Sequence, residues 1–409
     1  MSLTTAPRLG LRVNAAQFSL LVLVNALVGG MVGQQQAVLP LLAREEFGMT
    51  GYTLVFTYIG VFGLAKVIAN WFAGALSDRY GRKPILIVGW LIALPVPIML
   101  ILAPSWGWVV AANLLLGVNQ GLTWSTTVVM KIDLAGPARR GLAMGLNEAA
   151  GYAAVALTSF LAGQLAANYG LRPAPFLLGL AYAVVALGLS VVFVRETRGH
   201  AALEGSGVEP PKRSSRDVFL DVSLREPALS TASAAGLVNN LNFGLSWGVF
   251  PLLFASADLS LSQIGVLFAV YPAVWGLGQL FTGAASDRYG RKPFITVGMA
   301  VQALGLGIVA FSGGFAGWAL GAAVLGAGTA LVYPTLLAVI GDVSHPAQRG
   351  RAVGVYRVWR DLGYVAGALV GGVVADLAGL DAAVWSAMVI SAVAAVIVHL
   401  RMYETHLRN

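Results

Sequence analysis

Cysteine is absent from the 409 residues of this chain, which excludes disulfides and thiolate metal sites. Charge is almost as scarce. Asp, Glu, Lys and Arg make up 11% of the residues, against about 25% in an ordinary soluble domain. The four histidines, His200, His345, His399 and His406, stand at segment ends without metal-ligand spacing, so no metal is expected. No phosphate-binding loop or nucleophile triad occurs, which excludes an ATP-driven pump encoded on this chain. No cofactor and no catalytic residue are expected.

What remains is 57% hydrophobic. Uncharged stretches of roughly 20 residues recur, long enough to cross ~30 Å of hydrocarbon as helices. In lipid only helices or closed barrels satisfy their backbone, and these runs lack the alternation of a barrel strand. The fold class is therefore an all-α membrane protein, multi-pass in a cell (inner or plasma) membrane. The net charge of +8 then concerns topology rather than nucleic acid. The first apolar run is too long for a cleaved signal and stands as a span.

Charge and turn signals bound twelve predicted transmembrane helices, over 16–43, 51–77, 83–103, 107–131, 139–168, 174–196, 228–256, 260–286, 292–313, 316–340, 347–376 and 381–403. A polar interval divides them into two six-helix bundles, 16–196 and 228–403. The linker, 197–227, contains the short amphipathic piece "RDVFLDVSL", and tails occupy 1–15 and 404–409. The N-terminus, the loops after even-numbered spans with their flanking helix ends, and the C-terminus hold 23 of the 26 Lys and Arg. Arg44 and Arg172 lie on the other side and Lys66 within a span. The positive-inside bias makes both termini and the linker cytoplasmic.

The halves repeat each other. "GALSDRYGRKP" at 74–84 returns as "GAASDRYGRKP" at 283–293, and "KIDLAGPARRGLAMG" at 131–145 aligns with "IGDVSHPAQRGRAVG" at 340–354, both at an offset of 209 residues. Six spans per half make the repeats parallel, related by an axis along the membrane normal. Two pseudo-symmetric bundles facing each other around a central path follow.

On these motifs, over nearly its whole length, the chain resembles the major facilitator superfamily, whose hallmark is the "G-x-x-x-D-R-x-G-R-K" loop between helices 2 and 3. The resemblance implies a latch of Asp78, Arg82 and Asp133, with Asp287, Arg291 and Asp342 in the second half. Gly74 and Gly81 suit close packing and a tight turn. Asp78 is expected near the start of helix 11, where the helix dipole favours an anion, with the planar fork of Arg82 bridging Asp78 and Asp133. Positive-inside topology alone is the plainer reading, but topology needs neither the aspartates nor the glycines.

Charges inside the membrane cost on the order of 3 kcal/mol each. Lys66 lies about eleven residues, roughly 16 Å, from the end of its span, too far to snorkel easily. In "VYRVWRDLGY", Arg357, Arg360, Asp361 and Tyr364 share one helix face. The family's helices 2 and 11 face each other, which suggests a Lys66–Asp361 pair; an Arg360–Asp361 cluster that only positions helix 11 is the alternative. Glu148, in "GLNEAAGY", has no adjacent base, Arg139 and Arg140 being too far back. It suits reversible protonation and is the first candidate for proton coupling, Asp361 the second. A salt bridge from Glu148 to Arg357 or Arg360 is the rival role.

The family's cavities are lined chiefly by helices 1, 4, 7 and 10. Gln35, Asn113, Gln120, Trp124, Asn239, Asn242, Trp247 and Tyr333 lie there and are candidate substrate contacts, with Trp275 as the second-half counterpart of Lys66. Any of the polar ones serves equally well as interhelical glue. The chain departs from the family's drug/proton antiporters at Gly117, where they carry an arginine, and in a helix 5 without proline. Three intramembrane bases against two acids lean toward an anionic or zwitterionic solute.

The implied function is secondary active transport of a small molecule by alternating access, in a monomer, with protons as coupling ion. One charge adds about 2.3 kcal/mol per 100 mV. Efflux antiport of a metabolite or drug-like compound is favoured by family frequency. Uptake symport of a small organic anion and facilitative uniport are the alternatives.

Overall fold

The computed structural model describes residues 9–135, 140–200, 214–345 and 348–406. Arg139 and the side chain of Arg140 fall outside the described residues, as do much of the linker and the outermost tails. Among the described residues are twelve long helical spans and no strand. In the first half, α1 is Ala15–Gln36 continued by Leu39–Glu45, α2 is Thr57–Tyr80 preceded by Tyr52–Val55, and α3 is Arg82–Ala93 continued by Pro95–Ile101. Next come α4 (Trp106–Ala135), α5 (Arg140–Tyr169) and α6 (Ala174–Val192). The second half holds α7 (Pro227–Ala255), α8 (Leu261–Tyr289), α9 (Arg291–Phe311), α10 (Phe315–Val343), α11 (Arg349–Ala378) and α12 (Leu380–Arg401).

The breaks in the first three spans are not in the sequence expectation. Pro40 and Pro95 stand at the starts of the second segments of α1 and α3, where a residue without an N–H is tolerated but cannot continue an existing ladder. Ten spans are apolar enough to cross a membrane by composition alone; α4 and α7 are not among them. Most of their residues are buried by neighbouring helices, so they need less lipid-facing apolar surface than the others.

Each half packs on itself, and the halves meet along two seams, α5 on α8 and α2 on α11. The α5–α8 seam is set by glycine: a Cβ on Gly163 would come within 2.5 Å of the Gly265 Cα. At the face away from the repeated motif the seams are tied shut. Asp376, near the end of α11, accepts hydrogen bonds from the Tyr52 and Thr53 amides at 2.6 and 2.9 Å, and Gln164 Nε2 donates to Ser262 Oγ at 2.7 Å. Ser214 caps a short linker helix, Ser215–Leu220, through the Asp217 amide. Val218 and Val222 are buried in the core of the second half, and hold the linker against it.

Candidate functional site

The repeated motif builds the same structure twice. Gly81 (φ +100°) and Gly290 (φ +104°) end α2 and α8 in the left-handed region that only glycine adopts freely. The arginine that follows is turned inward and buried. Arg82 Nη1 lies 2.9 Å from Asp78 and its Nε 3.3 Å from Asp133; Arg291 Nη2 lies 2.5 Å from Asp287 and its Nε 3.0 Å from Asp342. Glu196 accepts from the Arg82 and Lys83 amides, and Glu404 accepts from those of Arg291 and Lys292. Sequence reasoning missed both glutamates. Their signal was the pair "ET" closing each half, at 196–197 and 404–405.

One expectation is corrected here. Asp78 does not cap α11: its side chain is 71% exposed, Asp287 is 61% exposed, and α11 has no side-chain cap. Nor does Gly74 permit a close approach, since a Cβ there would touch nothing within 4 Å. Both motif aspartates face solvent, and the seam-crossing hydrogen bonds of Asp376 and Gln164 lie at the opposite face.

Midway through the bundle, a hydrogen-bonded chain crosses between the halves. Glu148, on α5 and 5% exposed, accepts at Oε1 from Trp124 Nε1 and Asn147 Nδ2, both at 2.9 Å. Its Oε2 accepts from the Tyr333 hydroxyl of α10 at 2.9 Å. That hydroxyl in turn accepts from Arg360 Nη1 at 2.6 Å. Arg360 donates through Nε and Nη2 to Asp361 Oδ1 at 2.9 and 2.7 Å. Asn70 of α2 donates to Asp361 Oδ2 at 2.5 Å and accepts from Ser125 of α4, whose hydroxyl also takes Arg357 Nη1 at 3.2 Å. Neither Asn70 nor Ser125 was among the expected site residues. Asn70 had a signal, since it lies one turn beyond Lys66 on the same face.

The Lys66–Asp361 ion pair does not form. Asp361 is fully buried and taken by Arg360 and Asn70, which is the cluster arrangement. Lys66, 6% exposed, has no ion-pair partner among the described residues. Its ammonium instead stands 5.0 Å from the ring centre of Tyr364 and 5.7 Å from those of Phe62 and Trp124. A charge over three aromatic faces gains cation–π attraction, and no carboxylate among the described residues stands within ion-pair distance of it. Gly117 explains the missing arginine on α4. A Cβ there would clash with the Phe62 carbonyl oxygen and lie 2.8 Å from Ala65 Cβ, so α2 occupies the space a side chain would need.

Aromatic rings fill the centre. Tyr152 stacks on Trp275 with ring centres 3.4 Å apart, and Tyr333 and Phe243 meet Trp275 edge-on. Above them Trp247 packs with Phe62, Tyr58 and Tyr364. The uncharged polar candidates divide differently. Gln35 bonds Asn113, Gln120 bonds the Val28 carbonyl, and Gln302 ties Asn239 and Asn242 to α9, with Ser391 joining from α12. These five tie helices within one half, because an unpaired amide in apolar surroundings is costly. A cavity of about 380 Å³ runs from Glu148 and Tyr333 out to Asp287 and Arg291, between α5, α8 and α10.

Comparison with known proteins agrees with this architecture. The family model described as Major Facilitator Superfamily matches residues 18–240 and 232–408. An MFS-type transporter of Salmonella typhimurium is 24% identical over 408 residues, 96% of each chain. Multidrug resistance protein MdtG of Enterobacter lignolyticus is 24% identical over 338 residues, 80% of this chain and 78% of its own. The human organic anion transporter MFSD10 superposes with a TM-score of 0.68 at 19% identity, covering 94% of this chain and 99% of its own. Two like bundles, a doubled motif and a buried polar chain between them accompany a match that runs almost from end to end, and the chain belongs to the Major Facilitator Superfamily of membrane transporters.

Proposed function

We propose that this transporter carries a small organic anion together with a proton, by alternating access, with the motif face toward the cytoplasm. The observation that carries the reading is Lys66, a buried ammonium with aromatic neighbours and, among the described residues, no carboxylate within ion-pair distance. A buried charge is kept neutralised or paired unless a ligand supplies the counter-charge. In the middle of the bundle Lys66, Arg357 and Arg360 stand against Glu148 and Asp361. That surplus favours a negative solute.

The same balance favours symport over the efflux antiport suggested by family frequency. Neutralising Glu148 removes a negative charge from a site that must accept another, so a proton and an anion assist each other's binding. Such linkage is reciprocal, and partners that bind together travel together. The distribution of Lys and Arg supports the cytoplasmic orientation, and one chain contains the whole path, so a monomer suffices.

A stabilisation screen of purified protein against organic anions, organic cations and neutral sugars at two pH values tests this. Organic anions should raise Tm, more at the lower pH. Lys66→Met should weaken anion binding about tenfold or more, the scale of a charge-assisted contact, without lowering the Tm of the unliganded protein. Stabilisation by cations instead, or an unchanged anion response in Lys66→Met, would refute it.

A further inference from the structure

Gln279 of α8 is 3% exposed, and its Nε2 has no hydrogen-bond partner among the described residues. It lines the cavity between α5, α8 and α10. Its counterpart at the 209-residue offset of the repeat is Asn70. That amide is engaged at both ends, donating to Asp361 and accepting from Ser125. The surroundings match by the same offset, with Glu148 answering to Arg357 and Tyr333 to Trp124. Thus one crevice is bound into a network by its amide, while the other presents a free donor to a cavity. One turn deeper on α8, the Trp275 indole N–H is also buried without an acceptor among the described residues.

The cavity has polar ends and an apolar middle. Glu148, Tyr333 and Gln279 form the inner end, Ser286, Asp287 and Arg291 the outer, and Leu280, Pro334 and Leu337 lie between. Both oxygens of Glu148 already face donors from Trp124, Asn147 and Tyr333, so an arriving acceptor meets the Gln279 amide. A buried donor left unmade is costly, and it gains most from a charged acceptor.

We infer that this cavity is a binding subsite for an amphipathic organic acid, a carboxylate or sulfonate on a ring-sized apolar body. One acid oxygen accepts from Gln279 Nε2, and the body lies against Leu280, Pro334 and Leu337. The volume, about 380 Å³, is at the small end of ligand pockets and suits a single substituted ring. The inference rests on the organic-anion reading; Lys66 does not line this cavity, so the Gln279 contact is made on the path toward it, and the inference adds that the cargo needs an apolar body.

The absence of native cysteine gives a background-free test. Ala338 lines the cavity, and Ala338→Cys places one thiol in it. Three maleimides are compared by labelling rate relative to free cysteine: 4-maleimidobenzoate (acid and ring), N-phenylmaleimide (ring alone) and 3-maleimidopropionate (acid alone). The expected result is about tenfold faster relative labelling by 4-maleimidobenzoate than by either other reagent, a gain that disappears in Gln279→Leu/Ala338→Cys. Equal relative rates, or a gain that survives Gln279→Leu, overturn the subsite. Ala284→Cys, at another lining position, repeats the measurement if the first variant fails to fold. Labelling needs no flux. Lost selectivity with anion stabilisation intact removes the subsite alone, whereas selective labelling without anion stabilisation keeps it and removes the transport reading.

Discussion

Asp361→Ala should lower the stability of the purified protein by about 3–5 kcal/mol, the scale for removing one partner of a buried ion pair. The carboxylate is fully buried, holds two donors of Arg360, and takes the Asn70 amide from the other half. Without it, the Arg360 guanidinium stays in the bundle with the Tyr333 hydroxyl as its remaining partner. The loss should be much smaller in Arg360→Met/Asp361→Leu, which removes both charges and preserves volume. Thermal unfolding of the three proteins in detergent decides the matter. A single variant as stable as the wild type would mean that Asp361 is not held as described.

Glu148→Gln should leave the fold nearly intact and abolish proton-driven accumulation. A glutamine keeps an oxygen for the Trp124 and Asn147 donors and places an amide toward the Tyr333 hydroxyl. It cannot take up or release a proton. With one proton per anion, each unit of pH gradient sustains about a tenfold concentration ratio, since tenfold is 1.4 kcal/mol. In proteoliposomes the variant should fall to a ratio near one under the pH gradient, while anion exchange across the membrane continues. Uphill flux that survives the substitution assigns the coupling to another group.

Much of the fold is legible in the sequence because lipid leaves few solutions. Most spans are apolar runs of about 20 residues, and the repeated motif marks corresponding points of the halves. The motif's own side chains were legible for the same reason: Arg82 and Arg291 sit in matching settings between matching aspartates. Their docking on the opposite bundle was not, because it depends on which face of the transporter is open. The middle of the bundle is harder. The sequence leaves both a Lys66–Asp361 pair and an Arg360–Asp361 cluster open, because both bases are within reach of the carboxylate; the Arg360 side chain folds back on its neighbour, and Asp361 is taken. Tyr152 and Trp275 stack across the α5–α8 seam, and nothing in their spacing announces it, since the glycine contact that sets the seam is tertiary. The polar residues of α1, α4 and α7 carry no mark that separates glue from lining. Only the partner helix decides.

The most direct measurement is proton movement on binding. An organic acid that raises Tm in the screen is added to weakly buffered protein with a pH dye. The account predicts that the protein takes up protons as the anion binds, and that the uptake disappears in Glu148→Gln. Proton release on binding would contradict it, as would uptake that persists without Glu148.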